Sequence, residues 1–391
     1  MDPRGGIRVR RHDDRLDVMS CQQNNRGKCE ALSVTYGKKI LDHLYRHFHL
    51  KLLKLTKSHP NLPFVFNPRT YQRTTMDTKE ASQPYKTPTA YSKTSLVPQD
   101  QEGSKGSDAN LKAQANWTQL EFWDDEGTTP FLREYEGRGL LKDKAVLITG
   151  GDSGIGRSVS VLMAREGADI TFVYLPEEET DAQDTKKMIE KAGRRANLIA
   201  MDVTKAENCQ KIVDSHMKEF GKLSVLVNNA AMQEMCDDLK DINLDVVEKT
   251  YRTNVLSMFA MTKFALPHMK RGSAIINSCS IAGYMGNPQL VDYSSTKGAI
   301  ATFTRSLAQQ QAPKGIRVNA VAPGIIWTPL QPATKGNAAE NMDSLGVEAA
   351  PLQRPGMPIE VAVGYVFLAS PLGSYFTGEV MHGTGGMEMQ G

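Results

Sequence analysis

Tyr293 is followed four residues later by Lys297, in the run Tyr293-Ser294-Ser295-Thr296-Lys297. On a helix, a residue and its fourth neighbour share a face. An ammonium beside a phenol favours the phenolate. An ordinary tyrosine titrates at about 10 and needs that help to act as a base near neutral pH. The chemistry such a pair offers is proton exchange with the oxygen of a carbonyl or an alcohol. Alone, the spacing also fits a solvated helix face, so its meaning depends on the elements around it.

A second group of residues lies upstream. Residues 146–148 form a short apolar run of strand type, followed by Thr149-Gly150-Gly151-Asp152-Ser153-Gly154-Ile155-Gly156. Glycines permit a tight turn and let backbone approach a phosphate closely. A helix is predicted from Ser153–Ile155 through Arg165, its N-terminal N–H groups and dipole facing a pyrophosphate. Gly167 stops that helix, and a second strand follows over Asp169–Tyr174. Strand, glycine turn, helix and strand make the opening of a dinucleotide-binding unit.

The pattern Thr-Gly-x-x-x-Gly-Ile-Gly with a distant Tyr-x-x-x-Lys resembles the short-chain dehydrogenase/reductase family over residues 140–391. A closer resemblance, carried by the segments at 150–157 and 174–179 and by Asp181-Ala182, is to the subgroup of glucose and ribitol dehydrogenase homologues and bacterial stress oxidoreductases. The resemblance implies that Asp202, with Val203, contacts the adenine. It also implies that Asn229 closes the strand end Leu226-Val227-Asn228-Asn229-Ala230-Ala231, where Ala231 replaces the family's glycine. Asn254 corresponds to the family's helix asparagine, which positions a water linked to Lys297. Ser280, thirteen residues before Tyr293, corresponds to the serine that orients the substrate oxygen. Pro323, Ile326 and Thr328 fall in the loop that holds the nicotinamide carboxamide, and Lys263 stands where a basic residue often lies near the site. Lys297 is implied to lower the Tyr293 pKa and to hold ribose hydroxyls. Ser278 competes with Ser280: two residues apart on one strand end, they point the same way.

The cofactor is expected to be NADP or NAD. A dinucleotide fold that excludes a 2′-phosphate carries an acid at the end of the second strand. Tyr174 occupies that position and is not acidic, which favours NADP. Glu177 to Glu179 lie close enough to act on the phosphate, and Arg157 is read as a group that could welcome it.

Composition divides the chain. Residues 1–75 are basic, with little strand alternation. Residues 76–116 are polar and read as linker. Residues 117–135 carry Trp117, Phe122, Trp123, Phe131 and Tyr135 and read as an arm that packs on the domain or on a neighbouring subunit. The expected organisation is a mostly disordered extension (1–75), linker and aromatic arm (76–140) and a catalytic domain (141–391). A basic amphipathic helix is expected within residues 38–57. Three readings compete for the extension: a mitochondrial presequence, against which Asp2, Asp13, Asp14 and Asp17 argue, a contact with an anionic surface, or sequence upstream of a functional start at Met76; the last is preferred. A net charge of +3 gives no case for nucleic acid. No apolar run is long enough to span a bilayer. Five cysteines without framework or metal spacing fit a reducing, cytoplasmic compartment and no metal site.

The repeated strand–helix order after residue 145 predicts an α/β fold, a doubly wound parallel sheet with helices on both faces. Residues 328–352 are expected to form a substrate lid, which also holds Trp327, Leu330 and Met342. The expected activity is NAD(P)-dependent hydride transfer to or from a carbonyl or alcohol in a homodimer or homotetramer. The alternative is a non-catalytic dinucleotide-binding sensor or scaffold.

Overall fold

The computed structural model describes residues 8–12, 15–23, 29–36, 89–91, 107–111, 114–335 and 350–387. The chain divides into two units, Met1–Ser82 and Gln83–Gly391. The first contains an antiparallel three-stranded sheet of β1 (Arg8–His12), β2 (Arg15–Gln23) and β3 (Cys29–Tyr36). The sequence reading assigned no strands there. Its helix at 38–57 and its start at Met76 lie outside the described residues.

In the second unit, β4 (Gln119–Trp123) and β5 (Pro130–Glu134) pair as a hairpin in the aromatic arm. Seven strands follow: β6 (Ala145–Thr149), β7 (Asp169–Tyr174), β8 (Ala196–Ala200), β9 (Leu223–Asn228), β10 (Met269–Ser278), β11 (Arg317–Pro323) and β12 (Val380–Gly383). They form one parallel sheet in the order β12-β11-β10-β9-β6-β7-β8. Order reverses at β6, so a crevice opens between β6 and β9 beyond their C-terminal ends, where such sheets bind ligands.

The apolar runs make this sheet because both of its faces are covered. Along each strand, alternate residues enter different cores. Val146, Ile148, Ile170, Phe172, Val225, Val227 and Ile276 pack on one side with Val159, Leu162, Val366 and Leu368, from helices Gly154–Arg165 and Pro358–Ala369. Leu147, Val173, Leu226 and Ile275 pack on the other with Ile212, Met261 and Leu307, from helices Ala206–Phe220, Ser257–Ala265 and Val291–Gln311. Among the described residues, no helix is long and apolar enough to cross a membrane.

The arm docks on the first of these cores. Trp117, Leu120, Leu132 and Tyr135 pack against it. The fully buried Glu166 carboxylate accepts from the Tyr135 hydroxyl and from the backbone N–H groups of Arg138 and Leu140.

Candidate active site

β6 ends at Thr149, and the chain turns through Gly150 (φ +63°) to Gly154 (φ +51°), both left-handed conformations that suit glycine. A Cβ on Gly156 would lie 1.8 Å from the Gly150 carbonyl oxygen, so the turn closes only without a side chain there. The Thr149 hydroxyl accepts from the Asn229 and Ala230 N–H groups at 3.0 and 3.1 Å, and the Asn229 amide donates to the Gly150 carbonyl at 2.7 Å. These bonds lash the ends of β6 and β9 together beneath a cleft of 680 Å³. Ser153, Ile155, Asp202, Val203, Met232, Thr328 and Leu330 line it, with the glycines. A glycine-tight turn opening a helix at the sheet's switch point fits a dinucleotide.

At the β7 end of the cleft, Tyr174 donates to Glu179 at 2.6 Å, and the Glu178 carboxylate accepts from the Leu175 N–H at 2.9 Å. Arg157 is not available to a phosphate. It is 4% exposed and does not line the cleft; its guanidinium pairs with Asp108 at 3.3 Å and Asp181 at 2.9 Å and stacks on Trp117. Asp108 reaches it from the segment read as linker, and the same carboxylate caps the glycine-turn helix by accepting from Gly154 N–H at 2.9 Å. Charge from two buried carboxylates, one of them 49 positions before it in sequence, holds Arg157 inward.

Tyr293 and Lys297 share the inner face of helix Val291–Gln311, both buried, with the ammonium 5.3 Å from the phenol ring centre. Ser280 hydrogen-bonds the Tyr293 hydroxyl. Lys297 turns its Nζ to the Ser278 carbonyl oxygen at 2.7 Å. Burial pushes Tyr293 up to about 12, partly offset by the Ser280 hydrogen bond. Burial also pushes Lys297 down, to about 8. Desolvation therefore opposes the lowering of Tyr293 that the sequence reading assigned to Lys297.

The structure separates the two serines. β10 ends at Ser278, so Ser280 lies beyond the pleat and the shared direction is lost. The Ser278 hydroxyl donates to Asn229 Oδ1 at 3.1 Å and meets the buried Tyr365 hydroxyl at 2.7 Å. Asn254 sits in a π-helical turn, Arg252–Leu256, a distortion common at functional sites. Its side chain grips both backbone groups of Met232 (2.8 and 2.9 Å) and donates to Thr296 at 3.1 Å. Tyr293, Lys297 and Ser280 do not line the 680 Å³ cleft; Asn229 and Met232, held by Ser278 and Asn254, join its wall to them.

Three expected residues lie elsewhere. Lys263 is exposed, its Nζ 5.4 Å over the Phe264 ring, because its neighbour Thr262 takes the inward position and accepts from Asn228. Ile326 lines a separate cavity with Arg354 and His382. Trp327 is fully buried in the core and not in a lid. Pro323 ends β11, and its carbonyl accepts from Ile281 N–H at 3.0 Å, tying the loop to the Ser280 segment. The described start of the expected lid is a short helix, Leu330–Lys335, anchored by Gln233 to Thr334 at 2.8 Å; residues 336–349, with Met342, lie outside the described residues. The sequence reading missed the buried chain Thr262–Asn228–Asn277–Thr304 that braces the strand ends. Asparagine at consecutive strand ends was the available signal.

Residues 150–388 match a family model described as enoyl-(acyl carrier protein) reductase. The chain is 48% identical over 259 residues to NADPH-dependent aldehyde reductase 1, chloroplastic, of Arabidopsis thaliana, covering 65% of this chain and 89% of that protein. It is 45% identical over 262 residues to the glucose and ribitol dehydrogenase of Daucus carota, covering 66% and 89%. A crystal structure of a short chain dehydrogenase from Burkholderia cenocepacia in complex with NADP superposes with a TM-score of 0.59 at 30% identity, covering 63% of this chain and 98% of that one. With the parallel sheet, the glycine turn and these matches together, the chain belongs to the short-chain dehydrogenase/reductase family of oxidoreductases.

Proposed function

We propose that this chain transfers a hydride between NADP(H), or less readily NAD(H), and the carbonyl or alcohol carbon of a small polar substrate. The observation that carries this reading is the hydrogen bond from Ser280 to a buried Tyr293 whose ring lies against Lys297, next to a glycine-turn cleft. The residues that would hold the dinucleotide are Thr149 through Gly156, Asp202, Val203, Asn229 and Thr328. When bound, the nicotinamide supplies or accepts the hydride.

Burial keeps the Tyr293 phenol protonated well above neutral pH, so in reduction it stands ready to give its proton to the substrate oxygen. In oxidation it acts from the phenolate form, which takes the proton of the alcohol and returns to the phenol; the Ser280 hydrogen bond and the Lys297 charge favour that phenolate. Ser280 also orients the substrate oxygen. Asn254 fixes the corner between Met232 and Thr296 and positions the water through which Lys297 regains its proton.

NADP(H) is favoured because the Arabidopsis relative is named for NADPH and the Burkholderia structure holds NADP. The substrate class, aldehydes and sugars or polyols, follows the names of the two plant relatives. Free Cys209, Cys236 and Cys279 suit a reducing compartment such as the cytoplasm. Exposed Leu256 and Phe259, with Phe259 edge-on to Phe303 at 4.5 Å, support a homodimer or homotetramer through the helices of Asn254 and Tyr293. A monomer by analytical ultracentrifugation would remove the oligomer from this reading.

The test is turnover of NADPH and NADH by the full chain against a panel of aldehydes and sugars, with Tyr293→Phe alongside. Turnover should fall by about 10²- to 10⁴-fold in the variant while dinucleotide affinity is kept. Full activity in Tyr293→Phe would remove that residue from the mechanism.

A further inference from the structure

The glycine turn carries an acid that nothing so far explains. Asp152 is 2% exposed, lines the cleft, and its Oδ2 has no hydrogen-bond partner. Buried polar atoms are nearly always paired, so an unpaired, shielded carboxyl oxygen on a residue that lines the cleft points to a ligand that reaches it. Its backbone is fixed: the Asp152 carbonyl accepts from Arg157 Nε at 2.8 Å and from the Thr185 hydroxyl at 2.6 Å.

Dinucleotide folds place an acid at the end of the second strand, about 20 residues beyond the glycine turn, where it meets the adenosine ribose. Here that strand ends in Tyr174, whose hydroxyl is tied to Glu179. Asp152 lines the same cleft as Tyr174 and Glu178 and lies close enough for its charge to act on Tyr174 and for that of Glu178 to act on it. We propose that Asp152, from the glycine turn, chooses between NAD(H) and NADP(H), its carboxyl meeting the 2′ substituent of the adenosine ribose. The proposal rests on the reading that a nicotinamide dinucleotide occupies the cleft.

The surroundings of Asp152 decide which substituent it accepts. Glu178, in the turn after β7, and Asp181, on the following helix, both disfavour its negative charge. Tyr174 from β7 is a neutral phenol, its titration pushed up by burial and by Glu179. Arg157, on the glycine-turn helix, is the adjacent cation, and its charge is shared with Asp108, from the segment before the arm, and with Asp181. Burial first, and then the Glu178 charge, push Asp152 up to about 8. Below that value the neutral carboxyl donates a hydrogen bond to a 2′-phosphate. Above it, the carboxylate repels the phosphate and accepts from a 2′-hydroxyl.

The test is the dissociation constants of NADPH and NADH, read by nucleotide fluorescence on the full chain between about pH 7 and about pH 9.5. The ratio of the NADPH to the NADH constant should rise about tenfold in the wild type as the neutral acid disappears. Lys297 titrates over the same range, but it acts on both nucleotides and leaves the ratio alone. In Asp152→Asn, which keeps the side-chain volume, the ratio should stay flat. A flat wild-type ratio overturns the proposal without any variant, and so does an equally steep rise in Asp152→Asn. Failure of the wild type to bind either nucleotide overturns the dinucleotide reading and this proposal with it.

Discussion

Lys297 donates its ammonium to the Ser278 carbonyl oxygen at 2.7 Å, and Ser278 spends its own hydroxyl on Asn229, the residue that holds the glycine turn. A buried cation on the Tyr293 helix is thus joined by one residue to the floor of the cleft.

That cation weakens the fold. Its folded-state pKa, about 8, lies below its ordinary value of 10.5. Between those values the unfolded chain binds more protons, so the charging penalty is fully present below pH 8 and is relieved as pH rises toward 10.5. Lys297→Met removes the penalty but leaves the Ser278 carbonyl unpaired. We expect a net gain of about 1–2 kcal/mol at neutral pH with loss of turnover. Denaturant melts at pH 7 and pH 10 check this; a less stable variant at pH 7 contradicts it.

The two serines should separate in a paired experiment. Ser280→Ala is expected to lower turnover by about tenfold or more while barely changing the melting temperature, because its hydroxyl touches Tyr293. Ser278→Ala should leave the Asn229 and Tyr365 groups short of a partner and lose about 1–3 kcal/mol, with turnover largely kept. The reverse pattern would exchange their roles.

Gly156→Ala places a methyl 1.8 Å from the Gly150 carbonyl, and backbone must move. A loss of about 1–3 kcal/mol is expected, with dinucleotide affinity weakened at least tenfold. Calorimetric titration of NADPH into the variant measures it, and unchanged affinity would place the nucleotide away from this turn.

His216 supplies an acid-side test. It is fully buried; its Nε2 donates to the Lys222 carbonyl at 3.0 Å, so Nδ1 accepts from the Thr171 hydroxyl at 2.8 Å. Burial pushes it down to about 4 from 6.5. Between these values the unfolded chain binds the extra proton, so stability is full above pH 6.5 and is lost as pH falls toward 4, by about 3 kcal/mol. His216→Gln should flatten that slope in urea melts across this range; an unchanged slope would assign it to other groups.

What the sequence made legible follows from local rules. The strand Asp169–Tyr174 and the helix ending at Arg165 lie where the apolar run and Gly167 put them. Tyr293 and Lys297 share a face because helix periodicity requires it. The direction of Ser280 was not legible, since it depends on β10 stopping at Ser278 and not two residues later. Arg157 was misread because Asp108 and Asp181, which bury it, come from the segment read as linker and from the next helix. Lys263 and Trp327 turned on which neighbour faces inward, a matter of packing.

The ties made by the segment before the arm bear on how the chain is made. Ser107 and Asp108 bond to Asp181, 74 and 73 positions later, and Asp108 caps a helix that begins at Gly154. At ribosomal speeds of about 5–20 residues per second, this segment emerges roughly 4–15 seconds before its farthest partner. Until Gly154 and Arg157 follow, the nascent chain carries Asp108 without its cap or ion pair and Trp117 without its guanidinium. The glycine turn can receive its cap once Gly154 emerges, 46 residues behind Asp108, and the ties to Asp181 close last.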